Sequence, residues 1–260
     1  MQNMAHALCN KPLTRRETVK GIGAGALGLT LCGAGAAIPQ PVNGDVETKQ
    51  EKHMKVTLII GSPRRNGNTA RALKEVSDAL VSEGLETETV WIGTRPVRGC
   101  IACGQCLKKS LGRCAFDDDV ANEIVDKLKA ADGIVIGAPT YYGQPNGAFL
   151  AVWQRICFAA RQVVECKPAA AVAVCRRGGS TAAFQCLNMP VEMLNTPLAG
   201  SQYWNVVFGL SEGECEKDEE GMQTMRTLGR NLAWMVKNLR GANAVPRPPQ
   251  EPWQGMNFIR

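Results

Sequence analysis

The feature that most constrains this 260-residue chain is the alternation of short apolar runs with segments of helical period. KVTLII at 55–60, GIVIGA at 133–138 and AAAVAVC at 169–175 are too short for helices and apolar throughout, as strands covered on both faces are. Residues 86–92 alternate as a further strand, and the region 202–208 supplies a fifth or its approach. Between them lie amphipathic spans. Residues 69–82 carry Ala72, Val76, Ala79 and Leu80 on one face, 120–130 carry Ile124 and Leu128, and 148–161 form a third helix. In the span 218–239, Met222, Met225, Leu228, Leu232, Met235 and Leu239 step by threes and fours, so these methionines belong to a core. Strand alternating with helix predicts an α/β domain over 55–240, a doubly wound five-stranded parallel sheet in a three-layer sandwich.

Such sheets bind ligands beyond the carboxyl ends of their strands, where three loops fall. The first, GSPRRNGNT at 61–69, joins a strand end to a helix N-terminus, whose free amides and dipole favour an anion. Ser62, Asn68 and Thr69 add donors, and Arg64 or Arg65 adds charge. The spacing is neither a dinucleotide G-x-G-x-x-G nor a G-x-x-x-x-G-K-[ST] loop. The second, PTYYGQPNG at 139–147, carries Tyr141 and Tyr142, which can flank a flat ring or simply pack. The third is Arg176-Arg177-Gly178-Gly179. Together they describe a site for a flat molecule with a terminal phosphate, for which FMN is the candidate.

The loop over 97–119, VRGCIACGQCLKKSLGRCAFDDD, holds Cys100, Cys103, Cys106 and Cys114 in a C-x2-C-x2-C-x7-C spacing. Thiolates so placed ligate iron–sulfur clusters or structural zinc, and two disulfides or four free thiols are the plainer alternatives. Asp117, Asp118 and Asp119 follow as caps of the next helix. Cys157, Cys166, Cys175, Cys186 and Cys215 lie mostly on apolar faces and read as small buried hydrophobes.

Half of the formal net charge of +6 comes from residues 1–36, where Lys11, Arg15, Arg16 and Lys20 stand against Glu17. The remainder is too small and scattered for a nucleic-acid partner. Both histidines, His6 and His53, precede the first strand, which excludes histidine triads and histidine metal sites from the domain. Thr14-Arg15-Arg16, then Val19, Lys20 and a mild Gly-rich apolar run to Ile38, resemble a twin-arginine export signal with a small-residue cleavage site after Ala36. Residues 1–36 are therefore expected to be a signal peptide that engages the twin-arginine translocase. The mature protein is expected in the periplasm or otherwise exported, or membrane-anchored if the signal is retained. A polar linker, 37–54, and a Pro-rich tail, 241–260, complete the chain.

The stretches GSPRRNGNT, GCIACGQC…GRCAFDDD, PTYYGQPNG and SQYWN…GECEKDEEG resemble the flavodoxin-like NADPH-dependent FMN reductase family, specifically its iron–sulfur flavoprotein branch, over about 55–239. The resemblance implies an FMN phosphate held by Ser62, Arg64, Asn66, Asn68 and Thr69. It implies a ribityl chain and ring lined by Pro139, Thr140, Tyr141, Tyr142, Gly143, Arg177, Gly178 and Gly179. It further implies a [4Fe–4S] cluster on Cys100, Cys103, Cys106 and Cys114. FMN would carry the redox chemistry, so no side chain is assigned as catalytic acid or base. The implied function is an FMN-dependent oxidoreductase using NAD(P)H as co-substrate and reducing a small acceptor such as a quinone or flavin. The alternative is a non-enzymatic electron carrier for a protein partner. A homodimer or homotetramer is expected in either case.

Overall fold

The computed structural model describes residues 53–252 together with 254 and 255. The export-signal reading of residues 1–36, most of the linker and the end of the tail lie outside the described residues. Strands β1 (Lys55–Ile60), β2 (Glu86–Trp91), β3 (Gly133–Tyr141), β5 (Ala169–Cys175) and β6 (Val206–Phe208) form a parallel sheet in the order β2-β1-β3-β5-β6. A two-residue strand, β4 (Gln144–Pro145), adds a sixth, antiparallel to the end of β3. This extra pairing carries β3 three residues beyond its expected end at Ala138. The tight connection is made by Tyr142 (φ 51°) and Gly143 (φ 81°), both left-handed as a two-residue hairpin turn requires.

Helix α1 (Asn68–Ser82) and helix α6 (Glu219–Arg240) cover one face of the sheet. Helices α3 (Ala121–Lys129), α4 (Gly147–Ala159) and α5 (Ser180–Met193) cover the other. The period of two in a strand does the sorting. Ile134, Ile136 and Ala138 of β3 join the α3/α4/α5 core, while Val135 joins Leu58, Val76, Met225 and Leu232 in the α1/α6 core. Both faces of β5 are filled by small residues, so all seven of its positions are buried. Met222 and Met225 are buried as expected. Met235 sits at the core's edge and Leu239 is exposed, because the last turn of α6 runs past the sheet.

The long connection after β2 holds one element that periodicity does not announce, the single turn α2 (Gln105–Lys108). The fifth strand is Val206–Phe208, and residues 202–205 form its approach. Ser201 and Asn205 bond side chain to side chain there (2.7 Å), and Asn205 Nδ2 donates to Ala171 O (3.1 Å), which fixes the approach as a turn.

Candidate functional site

Four strand ends and a helix N-terminus meet in an open cleft of about 210 Å³. Its walls include Ser62, Arg64, Gly67, Asn68 and Thr69 after β1, Pro139, Thr140 and Tyr141 at the end of β3, and Cys175 and Arg176 at the end of β5. The start of α1 has Gly67 at its cap position with no side-chain cap. The orphan amides of its first turn are thus left to a ligand. The loop is braced around that opening. Ser62 Oγ accepts from Arg64 N (3.1 Å), Ser62 O accepts from the Trp91 indole (2.7 Å), and the Arg65 guanidinium lies 5.6 Å from the Trp91 ring centre. Thr140 Oγ1 is buried without a hydrogen-bond partner in this wall. A donor set of amides, hydroxyls and two arginines, with an orphaned hydroxyl beside it, fits a phosphorylated ligand.

Of the residues expected here, Ser62, Arg64, Asn68, Thr69, Pro139, Thr140 and Tyr141 border the cleft. Asn66, Tyr142, Gly143, Arg177, Gly178 and Gly179 are not among its lining residues. Arg176, not Arg177, supplies the β5 arginine. Gly179 (φ 89°) has its backbone packed on Gly143, whose Cα would lie 2.9 Å from any Cβ added at Gly179. The glycines therefore tie the second and third loops together beside the cleft instead of lining it. Tyr142, at the hairpin tip, is wholly exposed. Sequence reading also missed Gly209 and Leu210, which follow β6 and close the cleft. The rule of strand carboxyl ends applied to a fifth strand would have found them. Gly209 N donates to Cys175 O (2.9 Å), and Glu214 Oε2 accepts from Ser211 N (2.8 Å) and Leu210 N (2.7 Å), bonds that lower the Glu214 pKa.

The second feature is a small cavity in the loop after β2. Cys100, Cys103, Cys106 and Cys114 all border it, with Ile101, Phe116, Phe158 and Ala159 supplying an apolar surround and Arg155 a single charge. Cys100 and Cys103 are exposed, Cys106 is buried and Cys114 half-buried. Left-handed backbone at Ala102, Gly104, Ser110 and Gly112 turns the chain back on itself, bringing residues up to fourteen apart in sequence to one wall. Among the described residues no three His, Cys, Asp or Glu side chains form a group that could hold a metal ion. The four predicted ligands share a cavity without closing on one point. The donor chemistry, four thiols and no oxygen or imidazole ligand in a largely apolar pocket, fits an iron–sulfur group bound at several corners.

Two side chains secure this loop. Asn122 is buried and clamps Cys114: its Oδ1 accepts from Cys114 N (3.0 Å), and its Nδ2 donates to Cys114 O (3.1 Å), Phe116 O and Asp117 Oδ1 (both 3.0 Å). Arg155 and Asp119 form an ion pair with only 2% and 3% of their side chains exposed. Arg155 Nη1 donates to Asp119 Oδ2 (2.5 Å) and Arg98 O (2.8 Å), and Nη2 donates to Asp119 Oδ1 (3.1 Å). Asp119 also accepts from Arg98 N and Ala121 N, both at 3.0 Å. Burial alone would raise the Asp119 pKa, but these bonds outweigh it and hold the carboxyl below its ordinary value. The cap reading of the acidic run is thus correct for Asp119 and incomplete. Asp118 pairs with Arg98 (2.8 Å), and Asp119 chiefly neutralises a buried arginine.

Residues 54–210 match the family described as NADPH-dependent FMN reductase. The chain is 35% identical over 199 residues to an iron–sulfur flavoprotein of Methanocaldococcus jannaschii, covering 72% of this chain and 100% of that one. It is 32% identical over 184 residues to an iron–sulfur flavoprotein of Methanosarcina thermophila, covering 69% and 93%. Among solved structures, a flavone reductase superposes with a TM-score of 0.55 at 17% identity, covering 74% of this chain and 66% of that one. RosB, solved with bound 8-demethyl-8-formylriboflavin-5'-phosphate, superposes at 0.57 with 14% identity, covering 72% and 80%. At such identities these two speak for the fold, which is flavodoxin-like. The sequence matches go further: the chain belongs to the NADPH-dependent FMN reductase family and is a homologue of iron–sulfur flavoproteins.

Proposed function

We propose that the protein is an FMN-dependent oxidoreductase that also carries a [4Fe–4S] cluster on Cys100, Cys103, Cys106 and Cys114. The observation that carries this reading is the meeting of all four thiols around one apolar cavity in a chain of the FMN reductase family. The relatives' names support it, both being iron–sulfur flavoproteins. FMN, when bound, supplies hydride or two-electron acceptance and stepwise release, and a cluster supplies single-electron transfer. The chain's own part is binding and positioning. The α1 amides with Ser62, Arg64 and Arg176 hold the phosphate, Thr140 offers its free hydroxyl, and Tyr141 stands at the cleft's edge. The cysteine loop gathers its thiols beside the apolar side chains of Phe116 and Phe158, and such surroundings tune a bound metal group. Zinc fits less well, since it needs four sulfurs about 2.3 Å from one centre.

The twin-arginine segment favours a second reading, an electron carrier for a protein partner, because NAD(P)H is scarce outside the cytoplasm. Anaerobic NADPH oxidation separates the two. The oxidoreductase reading expects turnover that depends on added quinone or free flavin. No NADPH oxidation with any acceptor, in protein whose FMN is reduced by a protein donor, establishes the carrier instead.

A further inference from the structure

Arg155 is the only charged residue of α4, whose sequence GAFLAVWQRICFA is otherwise apolar or amide-bearing. A guanidinium offers five N–H donors in a plane. Here one edge is used: Nη1 and Nη2 engage Asp119 and the Arg98 carbonyl. On the remaining edge, beside the second N–H of Nη2, Nε is buried with no hydrogen-bond partner. The side chain borders the cavity that the four cysteines share. A buried donor left unsatisfied is costly, so its place beside a sulfur-lined cavity calls for an acceptor there.

We infer that Arg155 is a tuning residue for the cluster: its free Nε–H donates to a sulfur in the cysteine cavity, the Cys114 thiolate or a cluster sulfide, and raises the reduction potential. This rests on the cluster reading of the loop. Reduction of a [4Fe–4S] group adds one electron and hence one negative charge to a site that already carries four thiolates. A fixed N–H donor in an apolar pocket stabilises the more negative form. Asp119 serves the same end by holding the plane of the guanidinium, so that one edge is committed and the other faces the cavity. Lysine at this position keeps the charge and can keep the pair with Asp119, but it lacks the planar fork that serves both sides at once.

The test is a mediated anaerobic redox titration of the cluster, followed by electron paramagnetic resonance, in full-length wild type, Arg155→Lys and the double variant Arg155→Met/Asp119→Asn. The double variant removes both buried charges while keeping an acceptor for the Ala121 amide, so it offers a folded comparison if the lysine variant does not fold. Both folded variants are expected to lose about tenfold in stabilisation of the reduced form, a fall of about 59 mV for one electron. They are also expected to lose the shift of the Fe–S stretching bands that wild type shows between H2O and D2O. A folded variant with four iron per chain and an unchanged potential overturns the assignment of Arg155 and leaves the cluster reading intact. Wild-type protein without iron overturns both.

Discussion

The strand-end cleft and the cysteine cavity sit on the same sheet and are built in opposite ways. The cleft is assembled from what the parallel fold provides anyway: the ends of β1, β3, β5 and β6 and the bare start of α1. The cavity is formed by a loop containing one helical turn, and it holds its shape through left-handed backbone, the Asn122 clamp and one buried ion pair to α4. A site made of strand ends inherits the rigidity of the core. A site made of loop depends on a few polar contacts, each of which can be removed.

The largest effect should therefore follow from breaking the loop's tether. Asp119→Ala leaves Arg155 buried without its counter-ion and strips a bond from the start of α3. Removing one partner of a buried pair costs roughly 3–5 kcal/mol, and urea unfolding of the variant should show a loss of that order. Arg64→Ala, in the cleft, should leave unfolding within about 0.5 kcal/mol of wild type. Equal losses in the two variants would erase the contrast. The same carboxylate has a pH signature. Its pKa is depressed in the folded state, so its contribution is present at neutral pH and above the ordinary aspartate value of about 3.9. It is lost as pH falls through the lower folded value. The stability gap between wild type and Asp119→Asn should accordingly shrink only at pH values below that ordinary range.

Thiol reactivity gives the next largest difference. Cys100 and Cys103 are exposed, whereas burial pushes the Cys157 thiol on α4 up to about 12. At pH 8 only about one Cys157 in ten thousand is the reactive thiolate. After anaerobic removal of iron, iodoacetamide followed by peptide mass spectrometry should label Cys100 and Cys103 at least about a hundredfold faster than Cys157. Comparable rates would mean that the loop is packed as closely as the core.

A smaller effect probes the cleft. Asn68 is buried at the first turn of α1, where its Oδ1 accepts from Cys215 N (3.4 Å). Asn68→Asp keeps that acceptor and places a carboxylate beside the ligand's phosphate. FMN affinity measured by fluorescence quenching should fall about tenfold, roughly 1.4 kcal/mol, with iron content unchanged. Unaltered affinity would remove Asn68 from the phosphate site.

The same contrast explains what was legible in the sequence. KVTLII followed by GSPRRNGNT announces its site through general rules of strand, turn and helix start, and seven of the thirteen expected FMN contacts border the cleft. Arg176 and Arg177 could not be told apart, because adjacent residues leaving a strand point to opposite sides and the exit turn decides which faces the ligand. The four cysteines were legible as a set. Their supports were not, since Asn122 and Arg155 act across 8 and 36 residues of sequence and neither lies in a motif. A lone arginine in an apolar helix was the available sign, because such a charge is buried only with a partner.

The most direct test of two unlike sites on one sheet is iron, sulfide and flavin analysis of protein prepared anaerobically with iron supplied, alongside its Cys103→Ala variant. Wild-type protein is expected to contain about four iron, four sulfide and one FMN per chain, and the variant to retain FMN with little iron. Stoichiometric zinc without iron in the wild type, or iron that survives the loss of Cys103 unchanged, would contradict that expectation.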